Sequence, residues 1–69
     1  MLGERPATVM EARTFDLHGV AYHDVALSFE DGATTSARLG PEAVPETLQA
    51  GDRVVVTMAA GLVLSIRKP

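Results

Sequence analysis

Between residues 23 and 30 apolar and polar side chains alternate. His23, Val25, Leu27 and Phe29 fall on one side, and Asp24, Ala26, Ser28 and Glu30 on the other. That is the period of a strand with one buried face. Val54, Val56 and Met58 set a second alternation, and Leu62, Leu64 and Ile66 a third. Residues 8–14 and 33–39 carry the Thr, Val and small side chains that suit strands. Gly or Pro stands between the segments, so the pattern predicts five strands. Residues 1–6, where Gly3 and Pro6 lie close together, read as a loose terminus.

The turns must agree with these faces, because a register slip of one residue moves every side chain to the wrong side. A two-residue His18-Gly19 turn sets Met10 opposite Leu27, Ala12 opposite Val25 and Thr14 opposite His23 on the inner face. The outer face then carries Phe15 opposite Tyr22 and Arg13 opposite Asp24. A three-residue Glu30-Asp31-Gly32 loop with a left-handed Gly aligns Leu27 with Thr35 and Val25 with Ala37. By the same logic an Ala59-Ala60-Gly61 loop pairs Met58 with Leu62, Val56 with Leu64 and Val54 with Ile66.

Residues 40–52 are too long for a hairpin. Pro41, Glu42 and the following Pro45 predict one helical turn, with Val44 and Leu48 plugging the end of the core and a second short turn over residues 46–50. The order becomes β-β-β-short α-β-β, an all-β chain forming a small five-stranded OB-like barrel over residues 1–69. An SH3-like barrel is the alternative, although it places its short helical turn where this chain has a Gly hairpin. The inner set is Met10, Val25, Leu27, Phe29, Val54, Val56, Met58, Leu62, Leu64 and Ile66.

Composition limits what such a barrel can do. Its 69 residues include no Cys, so the thin core has neither disulfides nor thiolate metal clusters to support it. Nine carboxylates against five Arg and one Lys give a net charge of −3, which disfavours general binding of nucleic acid. The longest charge-free run, residues 54–66, is 13 residues and too short to span a bilayer, so a cytoplasmic protein without a membrane partner is expected.

Candidate chemistry is sparse. His18, His23, Asp16 and Asp24 are zinc-competent types, but the inferred register points them apart, and no metal or other cofactor is expected. Thr14 opposite His23 is a hydroxyl and base without a third group to orient the ring, so no catalytic residue is assigned. The outer ladder offers more. Asp24 lies between Arg13 and Arg38 beside the Phe15 and Tyr22 pair, and Arg13, Phe15, Tyr22 and Arg38 form a candidate ligand-binding face. Val55 and Val63 form a candidate self-association patch.

The run SARLGPEAVPETLQAGDRVVVTMAAGLVLSI, with DVALSFEDG before it, resembles the molybdate-binding Mop/TOBE small barrels in its acidic turn, its GD-x-V-x-V strand and its closing hairpin. The resemblance implies an OB-like barrel and, as a family property, oxyanion binding. Met58 stands where the family's closing hairpin has Lys, and the opening motif is echoed only by Glu11 to Thr14, so no site residue is carried over. The expected function is a non-enzymatic interaction module with a protein partner or self-association. Single-stranded nucleic-acid binding and small-oxyanion binding are the alternatives.

Overall fold

The computed structural model describes residues 2–69; Met1, part of the expected loose terminus, lies outside them. Five antiparallel strands form one sheet in the order β3-β2-β1-β4-β5. They are β1 (Leu2–Leu17), β2 (Val20–Phe29), β3 (Thr34–Leu39), β4 (Arg53–Ala59) and β5 (Leu62–Arg67). A 3-10 turn, Pro41–Ala43, connects β3 to β4 and packs against β2 and β5. β3 and β5 approach each other without sharing a ladder, so hydrogen bonds do not close the sheet. No helix among the described residues is long and apolar enough to cross a membrane.

β1 joins the two halves of the sheet. Its first part pairs with β4, from Leu2 opposite Ala59 to Thr8 opposite Arg53, while its second part pairs with β2 as far as the His18-Gly19 turn. Residues 2–6 are therefore ladder rather than loose terminus. Pro6 is tolerated there because the amides facing β4 belong to alternate residues. Val9 donates to the Asp52 carbonyl at 2.9 Å, which places Ala7 and Arg5 in the same phase and turns the Pro6 nitrogen away, past the end of β2.

The first two hairpins keep the register that their turns impose. Ala12 faces Val25, Arg13 faces Asp24, Thr14 faces His23 and Phe15 faces Tyr22. Across the second turn Leu27 faces Thr35 and Val25 faces Ala37, with Gly32 at φ +88° and the Asp31 carboxylate accepting from the Ala33 amide at 3.0 Å. Met10 departs from expectation. A bulge between Val9 and Glu11 makes Met10 the extra residue, 52% exposed, and Val9 takes the inner place opposite Leu27.

The third hairpin differs more. Its turn is the two-residue Ala60-Gly61, with φ values of +51° and +78°, so Ala59 faces Leu62 and Met58 faces Val63. A bulge at Leu64 then sets Val56 opposite Ile66, in place of the expected pairs of Val56 with Leu64 and Val54 with Ile66. Leu62 and Leu64 consequently leave the core, at 67% and 44% exposure, and Val63 packs against it.

Ala7, Val9, Val25, Leu27, Phe29, Leu39, Val54, Val56 and Ile66 form the buried core, with Val44, Leu48 and Met58 packed at its margins. The expected second turn over residues 46–50 is not helical. Asp52 shapes that segment instead, its carboxylate accepting from the Gln49 amide and from Lys68, each at 2.9 Å. The hairpin register has a direct test. Val63→Asp should cost about 1–3 kcal/mol in urea unfolding because it pushes a carboxylate against the core, whereas Leu62→Asp should change stability by less than about 0.5 kcal/mol. Equal losses would contradict the bulged register.

Candidate functional site

The outer faces of β1, β2 and β3 form a grid whose rows follow from strand alternation. Thr8, Ser28 and Thr34 make a hydroxyl row, followed by Glu11, Ala26 and Ser36, and then by Arg13, Asp24 and Arg38. Phe15 and Tyr22 come next, and Leu17 opposite Val20 completes the face beside the turn. The four residues Arg13, Phe15, Tyr22 and Arg38 thus lie on one contiguous surface, as the sequence implies.

Arg38 grips Asp24 with both ends of its guanidinium: Nε donates to Oδ1 at 2.8 Å and Nη2 to Oδ2 at 3.1 Å. The same guanidinium lies 4.5 Å from the Phe15 ring centre, so it spans β2 from β3 to β1. Phe15 and Tyr22 stack with their centres 6.0 Å apart and a 25° interplanar angle. The hydrogen bond from Arg38 holds the Asp24 carboxyl below the usual aspartate range against a smaller cost of desolvation, and the charges of Arg38 and Arg13 reinforce it.

Because the folded value is depressed, the stabilising effect of this pair is present above the ordinary value of 3.8 and is lost as pH falls through the folded one. Replacing Arg38 with Gln should return the Asp24 carboxyl toward its ordinary midpoint, read by carbon magnetic resonance of the side-chain carboxylate. An unchanged midpoint would show that the fork is not what holds it.

Arg13 is different. The other Arg and Lys side chains among the described residues are each ion-paired: Arg5 with Asp31, Arg38 with Asp24, Arg53 with Glu30, Arg67 with Glu4 and Lys68 with Asp52. Arg13 faces Asp24 across the ladder and its charge helps hold that carboxyl low, but the direct ion pair to Asp24 is made by Arg38. Beside it opens a hollow of about 500 Å³ lined by Glu11, Arg13, Asp24, Ala26, Ser36 and Arg38. Its floor is low where Ala26 and Ser36 place small side chains between charged ones.

Val55 and Val63 are not brought together. Val55 is outward and half-buried between Pro6 and Arg67, whereas Val63 faces Met58 on the core side because the Leu64 bulge changes the phase of β5. They do not form the shared patch expected of them. His23 Nδ1 lies 3.1 Å from Thr14 Oγ1, and His18 occupies the turn at φ +53°. No group of three metal-ligating side chains converges among the described residues.

Sequence reasoning overlooked Leu17 and Val20, which are 46% and 40% exposed and extend the aromatic pair into an apolar strip. The parity of the first hairpin could have found them, since it sets Leu17 opposite Val20 on the face of Phe15 and Tyr22. Glu11, Ala26 and Ser36 could have been found in the same way. No protein-family model, curated protein or solved structure matches the chain.

Proposed function

We propose that this chain is a non-enzymatic interaction module, a small barrel of OB-like connectivity that binds a protein partner on the outer face of β1, β2 and β3. The barrel reading is supported by the central place of β1 between β2 and β4, by the approach of β3 to β5 and by the 3-10 turn packed on β2 and β5. The observation that carries the functional reading is Arg13. It makes no direct ion pair and stands between an open hollow and a strip in which the exposed Leu17 and Val20 continue the half-buried Phe15 and Tyr22. Apolar and aromatic anchors beside a cation that makes no direct ion pair suit a peptide that carries both kinds of group.

The nucleic-acid reading has less support. Arg38 covers Phe15 and is neutralised by Asp24, so neither a free ring face nor a free cation remains at that position. Panning displayed random peptides against the protein tests the proposal. Selected peptides should shift the amide resonances of Arg13, Phe15, Leu17, Val20 and Tyr22 and lose about tenfold in affinity when Arg13 becomes Ala, roughly 1.4 kcal/mol. Shifts confined to other faces, or salt-dependent binding of a single-stranded oligonucleotide without any peptide binding, would overturn it.

A further inference from the structure

We infer that the partner segment binds as an added β-strand on the free edge of β1 at residues 11–17. It would place a carboxylate opposite Arg13, a cation opposite Glu11 and apolar side chains opposite Phe15 and Leu17. The inference rests on the outer-face reading above and specifies the class of ligand and its mode of binding.

The edge follows from the course of β1. Pairing with β4 ends at Thr8 opposite Arg53, and the last backbone bonds on that side join Val9 to Asp52 and Gly51 at 2.9 and 2.7 Å. Met10 then bulges, and from Glu11 onward β1 keeps β2 on one side while no other element of the described chain pairs with it on the other. A strand edge of this kind presents a row of unused amides and carbonyls, the template that strand addition requires. Residues 11–17 carry Glu11, Arg13 and Asp16, which discourage indiscriminate pairing, but no Pro interrupts the edge and the bulge lies before the free stretch rather than within it.

The side chains specify the incoming strand. Glu11, Arg13, Phe15 and Leu17 share the outer face, so an added strand would set its own alternate residues directly beside them. Arg13 is the described basic side chain without an ion pair, and Glu11 stands two positions before it, also without a basic partner. A dipolar strand, acidic opposite Arg13 and basic opposite Glu11, completes both.

A second copy of this chain could complete the two charges only by giving up the positions opposite Phe15 and Leu17. When two copies continue one sheet around a two-fold axis, side chains on one face pair only with residues of the same phase. The available registers set Arg13 against itself, Phe15 or Leu17 of the copy. The register that would offer Glu11 runs Phe15 against the copy's Val9, whose edge Gly51 and Asp52 already hold. The occupant is therefore an extended segment of another protein.

The experiment uses the full chain and two peptides, Leu-Thr-Val-Thr-Glu-Thr-Lys and its charge-exchanged form Leu-Thr-Val-Thr-Lys-Thr-Glu. Alternate amides within residues 11–17 should gain hydrogen-exchange protection with the first peptide, which should bind about tenfold more tightly than the second. The double variant Glu11→Lys with Arg13→Glu should reverse that preference, provided its amide spectrum keeps the wild-type dispersion. Resonance shifts on the outer face without edge protection would overturn strand addition while leaving the outer-face reading intact. Binding of neither peptide, or edge protection that rises with protein concentration alone, would overturn the inference itself.

Discussion

Removal of residues 2–6 should leave the chain largely unfolded at room temperature. On the observed register those residues contribute about four ladder hydrogen bonds to β4, each worth roughly 1 kcal/mol net. Their loss also removes the Glu4 carboxylate from Arg67 and strips Arg5 from the Phe29 ring, over which its guanidinium lies at 4.0 Å. A chain of this length has roughly 3–10 kcal/mol of total stability. A loss of about 4 kcal/mol takes all of it at the lower end and about two fifths at the upper, and the lost Glu4 and Arg5 contacts and the newly open edge of β4 add to it. Far-ultraviolet circular dichroism and amide dispersion of the trimmed chain read the outcome. A trimmed protein that unfolds within about 1 kcal/mol of the full chain would show that the β1 pairing with β4 is marginal.

Leu27→Ala should be among the most damaging single substitutions. Leu27 has no exposed surface and stands in β2 between Val9 on β1 and Thr35 on β3. Cutting it back to Ala removes three carbons at the centre of a core built from nine side chains, too few to collapse around the gap. Such changes cost about 2–5 kcal/mol, so the midpoint of urea unfolding should fall steeply, and at the upper end of that range the variant does not fold. Met10→Ala supplies the contrast. Met10 stands in the bulge with half its surface in water, and its loss should register below about 0.5 kcal/mol. Comparable losses for the two variants would mean that the bulge and the phase of β1 are wrong.

Where turn chemistry and alternation agreed, the fold was legible in the sequence. His18-Gly19 and Glu30-Asp31-Gly32 each admit one turn that keeps apolar groups together, so the registers of β2, β3 and β1 from Glu11 onward followed, and with them the outer row of Arg13, Asp24 and Arg38. The Ala59-Ala60-Gly61 segment was misread because a two-residue turn requires Ala60 in the left-handed region, which Ala seldom adopts. The chain accepts that strain, and a bulge at Leu64 keeps Ile66 on the core side, now opposite Val56, a compensation that periodicity alone does not reveal. Pro6 and Gly3 read as breakers because the direction of a strand amide is visible only once the neighbouring strand is known.

The candidate site was partly legible for the same reason. Its positions are a matter of phase, which the sequence carries. That Arg38 rather than Arg13 takes Asp24 depends on side-chain conformation, and only the structure distinguishes the two.

The shared strand β1 also governs the order in which the chain can assemble during synthesis. Residues 2–8 leave the ribosome well before their partners, residues 53–59. The β1–β2–β3 meander can pair as it appears, since its contacts are local in sequence. Residues 2–6 must meanwhile wait, with both of their edges open, until β4 has followed. Long-range pairing of this kind slows folding and prolongs exposure of an unpaired strand. The segment that waits longest carries Gly3, Glu4, Arg5 and Pro6, residues that make a poor template for intermolecular pairing. The two residues that looked like signs of a loose end thus act as its protection before the sheet is complete.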